Sequence, residues 1–185
     1  MKYLSFFILL FIGELSVSAQ HMFSRQFPFF NQLSSNEIFS IHQDREGYFW
    51  IGTTNGLARY DGYQLNTFRT DYKNQNLLTD NGITAINDND LYVWIGTWKG
   101  LNLYNKQTCR ITPFPDARLL DKVVDAITVD KDGNVWVSAG GMIYRCDSTA
   151  HIIKEYEVGN IQEGYAISNI YVDQQKQLWA VGSRG

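Results

Sequence analysis

The sequence predicts an all-β chain made of repeated four-stranded antiparallel units. Three observations carry the prediction. First, a Trp recurs at positions 50, 94, 136 and 179, with spacings of 44, 42 and 43. One Trp per period of that length marks a repeat architecture. Second, the neighbours recur in register with it. Tyr60, Tyr104 and Cys146 stand ten residues after their Trp, while Ile38, Val124 and Ile167 stand twelve before and Ile41, Ile127 and Ile170 nine before. Third, none of the units keeps apolar residues at i, i+3, i+4 and i+7 over a helix-length stretch. Four short antiparallel strands per unit of this size describe a β-propeller blade. The chain has room for about three and a half blades in an incomplete ring: about 33–77, 78–120, 121–162 and an incomplete 163–185.

In chain order, the first element is an address. Lys2 precedes a short apolar run, Tyr3 to Ile12, and a small-residue stretch ends in Val17-Ser18-Ala19. Basic start, apolar run and small-x-Ala end are the parts of a secretory signal peptide, here 1–19, which places the rest of the chain in the periplasm. The run is well short of the roughly 20 residues of a spanning helix. Residues 20–32 form an N-terminal segment. Within it Met22 to Phe30 is a candidate closing strand, with Pro28 suited to an edge.

Blade 1 then divides into strands. Ile38 to His42 alternates apolar and polar residues, the signal of a half-buried strand. Asp44-Arg45-Glu46-Gly47 makes a turn. Tyr48 to Thr53 is aromatic and β-branched and forms a second strand. Thr54-Asn55-Gly56 makes a hairpin, since Asn-Gly tolerates the positive φ of a tight turn. Leu57 to Tyr60 and Gln64 to Arg69 follow as strands three and four, around Asp61-Gly62. Blade 2 has lost one position in its first turn, Asn87-Asp88-Asn89-Asp90. The third unit moves its glycines to Gly140 and Gly141. The fourth places Lys176 where the first has Gly47.

The recurrent residues are assigned to packing. Trp50, Trp94, Trp136 and Trp179 sit on a central strand facing the next blade, with Gly52 and Gly96 in the same repeat. Burying one Trp removes about 150–250 Å² from water. At about 25 cal/mol per Å² this is at most about 4–6 kcal/mol.

Several functions find no support. Net charge is −3, charged residues are 19% of the chain, and no basic run occurs, so nucleic acid is not an expected partner. No phosphate-binding loop, nucleophile elbow or metal-binding His pair is present, and no cofactor or metal is expected. His21, His42 and His151 are far apart. Asp130 to Asn134 hints at a calcium loop but lacks its spacing and closing Glu, so a hairpin turn is favoured. Recurrent acids fall at turns, where Asp bonds nearby backbone. The non-recurrent Glu37, Asp125 and Glu163 are better placed for special roles. Cys109 and Cys146 read as isolated thiols more readily than as a pair.

The pattern carried by Ile38, Ile41, Asp44, Gly47, Trp50, Ile51, Gly52, Thr53, Gly56, Leu57, Tyr60 and Asp61 resembles the two-component regulator propeller repeat. The second unit keeps Trp94-Ile95-Gly96-Thr97, Gly100-Leu101 and Tyr104. The third keeps Asp130, Gly133 and Trp136, and the fourth Asp173 and Trp179. The resemblance implies the N-terminal extracytoplasmic sensor region of a hybrid histidine kinase, here truncated before any kinase. It implies a binding rather than catalytic role and full-length relatives anchored in the inner membrane. Their propellers are completed by further blades and downstream domains, in assemblies that include homodimers. The implied ligand is an oligosaccharide or another small extracytoplasmic molecule. A propeller glycosidase or polysaccharide lyase fragment and a secreted interaction scaffold are the alternatives.

The turns between strands two and three share a face with the inter-blade connections, and ligands commonly meet propellers there. They place Asn55, Trp98, Lys99 and Arg184 as candidate ligand-binding residues. Trp98 stands out because no other unit repeats it. An aromatic face beside a cation suits sugar stacking and an acidic group.

Overall fold

The computed structural model describes residues 26–70, 78–158 and 165–184. The predicted signal peptide and its cleavage site lie outside the described residues. Three four-stranded antiparallel sheets follow one another along the chain, each in simple sequence order, and a two-stranded sheet ends it. Blade 1 comprises β1 (Ile38–Gln43), β2 (Phe49–Thr53), β3 (Gly56–Tyr60) and β4 (Leu65–Phe68). Blade 2 comprises β5 (Ile83–Asp88), β6 (Tyr92–Thr97), β7 (Gly100–Asn105) and β8 (Arg110–Pro113). Blade 3 comprises β9 (Val124–Val129), β10 (Val135–Ala139), β11 (Met142–Cys146) and β12 (Ile152–Glu157), and blade 4 has β13 (Tyr165–Val172) and β14 (Leu178–Arg184). No helix among the described residues is long and apolar enough to cross a membrane.

The described part of the N-terminal segment forms no strand. Phe30–Gln32 makes a 3-10 turn, and Phe27 and Phe29 pack their rings on Tyr60. These described residues cover part of blade 1 by aromatic contact, and the rest of the candidate closing strand lies outside the described residues.

Blades join by one repeated contact. Trp50 is fully buried in a cluster with Ile83, Ile86, Val93 and Ile95 of blade 2. Trp94 is fully buried in a cluster that includes Val124, Ile127, Val135 and Val137 of blade 3. Trp136 shares a third cluster with Ile167 and Ile170 of blade 4. Each Trp is a knob received by the inner strand of the following blade. Trp179 has no such receiver among the described residues and is 57% exposed.

The glycines two residues after Trp50 and Trp94 let the blades approach. A Cβ on Gly52 would lie 2.6 Å from Ile83, and one on Gly96 2.7 Å from Val124. Blade 3 carries Ser138 at this position, fully buried, with a hydroxyl that makes no hydrogen bond.

The hairpin between strands two and three is built differently from the sequence expectation. Asn55 does not take positive φ; Gly56 does, at +128°. The Thr53 hydroxyl closes the turn, accepting from Asn55 N at 3.1 Å and donating to Gly56 O at 2.8 Å. Thr97 repeats this with Lys99 N and Gly100 O. Blade 3 has Ala139 there and loses the clasp. Its turn uses Gly140 and Gly141 at φ +57° and +78°, as a hairpin with two left-handed central residues requires.

The first turns of blades 1, 3 and 4 are each organised by an Asp. Asp44 accepts Glu46 N and Tyr48 N with one oxygen, and with the other it accepts Trp50 Nε1 at 2.6 Å. Asp130 does the same for Asp132 N, Asn134 N and Trp136 Nε1. Asp173 holds Gln177 N and Trp179 Nε1. The motif ties turn, strand and knob together through one carboxylate.

Candidate functional site

Blade 2 breaks the Asp motif, and the break has chemical consequences. Its first turn is one residue shorter, with Asp88 still paired in the strand opposite Val93. Asn89 takes over the turn, accepting Leu91 N and Tyr92 N, and donates its amide to Ser148 O. The Trp94 indole N–H is left buried without a partner.

Asp88 is thereby freed, and it points toward blade 1. His42 Nε2 lies 2.7 Å from one of its oxygens and Lys106 Nζ 2.7 Å from the other. The Asp88 and Lys106 side chains are only 5% and 7% exposed. Burial works to raise the Asp88 pKa, but the hydrogen bonds from His42 and Lys106 outweigh it and hold the carboxyl down at about 2. His42 is thus an inter-blade residue, in keeping with its place on an alternating strand. The cluster ties blade 1 to blade 2.

The opposite face carries the predicted ligand residues. The turns and the inter-blade entries meet there: Trp98 N donates to Gly82 O, Asp121 N to Lys99 O and Gly56 N to Asn81 O. Trp98 lies directly over Gly82, where a Cβ would come within 2.3 Å of the indole. It remains 44% exposed. Lys99 Nζ lies 3.9 Å from Asp80, with most of the Lys side chain in solvent. Asn55 is occupied by the scaffold, donating to Ser34 O and accepting from Arg69. Arg184 ends β14, and its side chain lies outside the described residues.

Sequence reasoning missed Phe39. Each inner strand carries a bulge near its start, leaving Phe39, Thr84, Asp125 and Ser168 without partners in the ladder. A bulge re-aims its side chain. Here it turns Phe39 onto Trp98, edge to face, with ring centroids 6.3 Å apart. Phe39 is 56% exposed. Four copies carry four different residue types at this position, and the non-recurrence that singled out Trp98 would have found it.

Asp125 occupies the same bulge in blade 3. Burial pushes its carboxyl up to about 6, against a smaller opposing effect of the Ser138 hydroxyl, which makes no bond within hydrogen-bonding limits. The raised value means the folded chain holds a proton that the unfolded chain releases at lower pH. This carboxyl therefore lowers stability as pH rises from about 4 to about 6. Asp125→Asn should raise the unfolding free energy at pH 7 by about 1–2 kcal/mol, allowing for solvent screening. It should also flatten the pH dependence of urea unfolding between those values.

The calcium-like loop is fully engaged by its own turn: Asp130 serves backbone, Asn134 and Trp136. Among the described residues no group of acids, His and Cys could hold a metal. Cys109 is exposed and Cys146 buried, both as free thiols. Burial lifts the Cys146 thiol to about 12.

Comparison with known proteins bears on this geometry. Residues 32–55 match the family model described as two component regulator propeller. The match covers the first two strands of blade 1. A search of curated proteins finds no match. Among solved structures, the chain is similar to the extracellular domain of BT3049 from B. thetaiotaomicron, described as a hybrid two component system. Identity is 23% over 80% of this chain and 22% of that chain, with a TM-score of 0.67. The corresponding domain of BT4673 from the same organism, described as a one component system, is 22% identical over 83% of this chain and 21% of that chain, with a TM-score of 0.63. Virginiamycin B lyase from Staphylococcus aureus is 19% identical over 78% of this chain and 48% of that chain, with a TM-score of 0.60. These likenesses establish the propeller fold. The chain spans about a fifth of the length of the two B. thetaiotaomicron chains.

Proposed function

We propose that this chain is a ligand-sensing segment of an extracytoplasmic two-component sensor, binding an oligosaccharide rather than catalysing a reaction. The signal-peptide pattern of residues 1–19 and the extracellular character of the B. thetaiotaomicron domains support a periplasmic location. The observation that carries the reading is the exposed Trp98–Phe39 pair on the turn face, beside the loosely paired Lys99. Two aromatic faces without recurrence in the repeat are free of the packing role that holds Trp50 and Trp94. They offer the flat apolar surface on which a sugar ring stacks, while Lys99 offers a cation for an acidic substituent.

Binding is favoured over catalysis because the recurrent acids are committed. Asp44, Asp130 and Asp173 spend their carboxylates on turns and Trp indoles. Paired carboxylates of a glycosidase would need free, facing oxygens.

Calorimetry of the regulator-propeller sensor domain against a panel of neutral and acidic oligosaccharides tests the proposal. A bound sugar should lose about tenfold in affinity on Trp98→Ala, the order expected for one aromatic contact. Unchanged affinity in that variant would remove the site assignment. An absence of binding across the panel would remove the ligand class.

A further inference from the structure

Blades 1 and 3 pair the knob Trp with an arginine on the neighbouring strand, Trp50 with Arg59 and Trp136 with Arg145. Each guanidinium lies over its indole, 5.8 and 5.4 Å from the ring centroid. Arg59 also covers Tyr48 and crosses the seam to donate to the Tyr104 hydroxyl of blade 2. It plugs the space between blades 1 and 2 outward of the knob. Blade 2 pairs Trp94 with Leu103 instead. Blade 3 has Cys146 where blade 2 has Tyr104, ten residues after each knob. Both halves of the plug are replaced by shorter side chains at the seam between blades 2 and 3. A cleft of about 760 Å³ opens there, walled by Tyr92 and Leu103 of blade 2 and by Thr149 and Ala150 of blade 3. Both walls belong to this chain. The volume is that of a small-molecule site, about 300–1,000 Å³.

The polar groups facing the cleft are rich in donors. Asn105, Thr108, Arg110 and Thr112 line it from blade 2. Arg110 is exposed and forms no ion pair among the described residues. Asn105 accepts Thr108 N with its side-chain oxygen, which leaves its NH₂ group for a ligand. The carboxylates nearby in the chain are engaged, Asp116 with Arg118 and Asp147 with the backbone of Thr149 and His151. The cleft thus holds an unneutralised cation beside hydroxyls and a Tyr ring. We propose that it binds a sugar ring bearing a carboxylate. The Arg110 fork takes the carboxylate, the geometry in which a guanidinium binds such a group most strongly. Asn105, Thr108 and Thr112 bond the ring hydroxyls, and Tyr92 gives the ring a face to lie on. Four polar groups around one cation favour a hydroxylated ring over an apolar one. The cleft is separate from the Trp98 face. Tyr92 pairs with Asn105 at one end of β6 and β7, and Thr97 with Gly100 at the other.

Titration of the sensor domain carrying these blades with glucuronate, glucose and benzoate, followed by NMR, tests this. Glucuronate should saturate in the millimolar range, and both glucose and benzoate should bind more weakly. No saturation by glucuronate overturns the proposal. Glucose binding as tightly overturns the role of the anion, and benzoate binding more tightly overturns the sugar. Arg110→Gln changes an exposed side chain, so the fold should stay native, and glucuronate should lose about tenfold in affinity while glucose is unaffected. Arg110→Lys should recover part of that loss. Leu103→Arg installs the residue of the other two seams and should close the cleft to glucuronate. Binding that survives in a natively folded Leu103→Arg overturns the cleft, and where that variant does not fold the Arg110 pair decides. Trp98→Ala separates this site from the turn face and should leave glucuronate binding unchanged. Loss in Trp98→Ala with full affinity in Arg110→Gln would put the acid at the turn face and overturn the cleft.

Discussion

Replacing Asp88 with alanine should lower the unfolding free energy by about 3–5 kcal/mol, the penalty of leaving a buried charge without its partner. Lys106 is the stranded charge, because its ammonium is 2.7 Å from Asp88 and its side chain is 7% exposed. His42 loses its acceptor as well. Removing both charges, Asp88→Ala with Lys106→Met, should recover most of the loss, since the pair costs desolvation on both sides. The pH dependence has a definite sign. The Asp88 pKa is about 2 in the folded chain against an ordinary 3.8. Its contribution is fully present above about pH 4 and disappears as pH falls toward 2. Urea unfolding from pH 5 to 2 should show this slope in the parent chain and lose it in Asp88→Ala. A slope that survives the substitution would reassign it to other carboxylates.

The second large effect is expected at Asp44. Alanine there strips the acceptor from Trp50 Nε1, Glu46 N and Tyr48 N together. The buried indole donor left unsatisfied costs about 1–3 kcal/mol and the two part-buried backbone donors cost less, so a loss of about 2–4 kcal/mol should appear in thermal or urea unfolding. Asp44→Asn separates the contributions. One amide oxygen can still cap the turn while the NH₂ group faces the indole, so the indole part alone is lost. Blade 2 offers the natural contrast. Trp94 already lives without an acceptor, so Asn89→Ala should disturb the turn and leave the state of its knob unchanged. If Asp44→Ala cost no more than Asn89→Ala, the indole bond would have little weight.

Particular residues show why parts of this molecule were legible in the chain and others were not. The strands of blade 1 fall within a residue or two of the expected bounds, because alternation and turn residues are local properties. The knob role of Trp50 was legible because packing between identical neighbours must recur at the repeat period. The exposure of Trp98 on a turn was legible for the opposite reason, as a departure from the period. The clasp of Thr53 was not, since a hydroxyl bonding across a turn leaves no periodic trace beyond the Thr itself. Phe39 was hidden by the bulge, which depends on how β1 pairs with β2. The His42–Asp88–Lys106 cluster joins residues from two blades. It exists only because a one-residue deletion keeps Asp88 in its strand and turns it across the interface.

The sequence by itself determined the repeat, the all-β class and the burial of Trp50, Trp94 and Trp136 between blades. Those depend on backbone preferences and on burial patterns that every copy must satisfy. The tertiary structure alone decided which turn face holds two exposed aromatics and where a buried charge cluster forms. These are properties of side chains meeting across a pairing register or a blade interface, and a single displaced residue redirects them while the repeat stays intact.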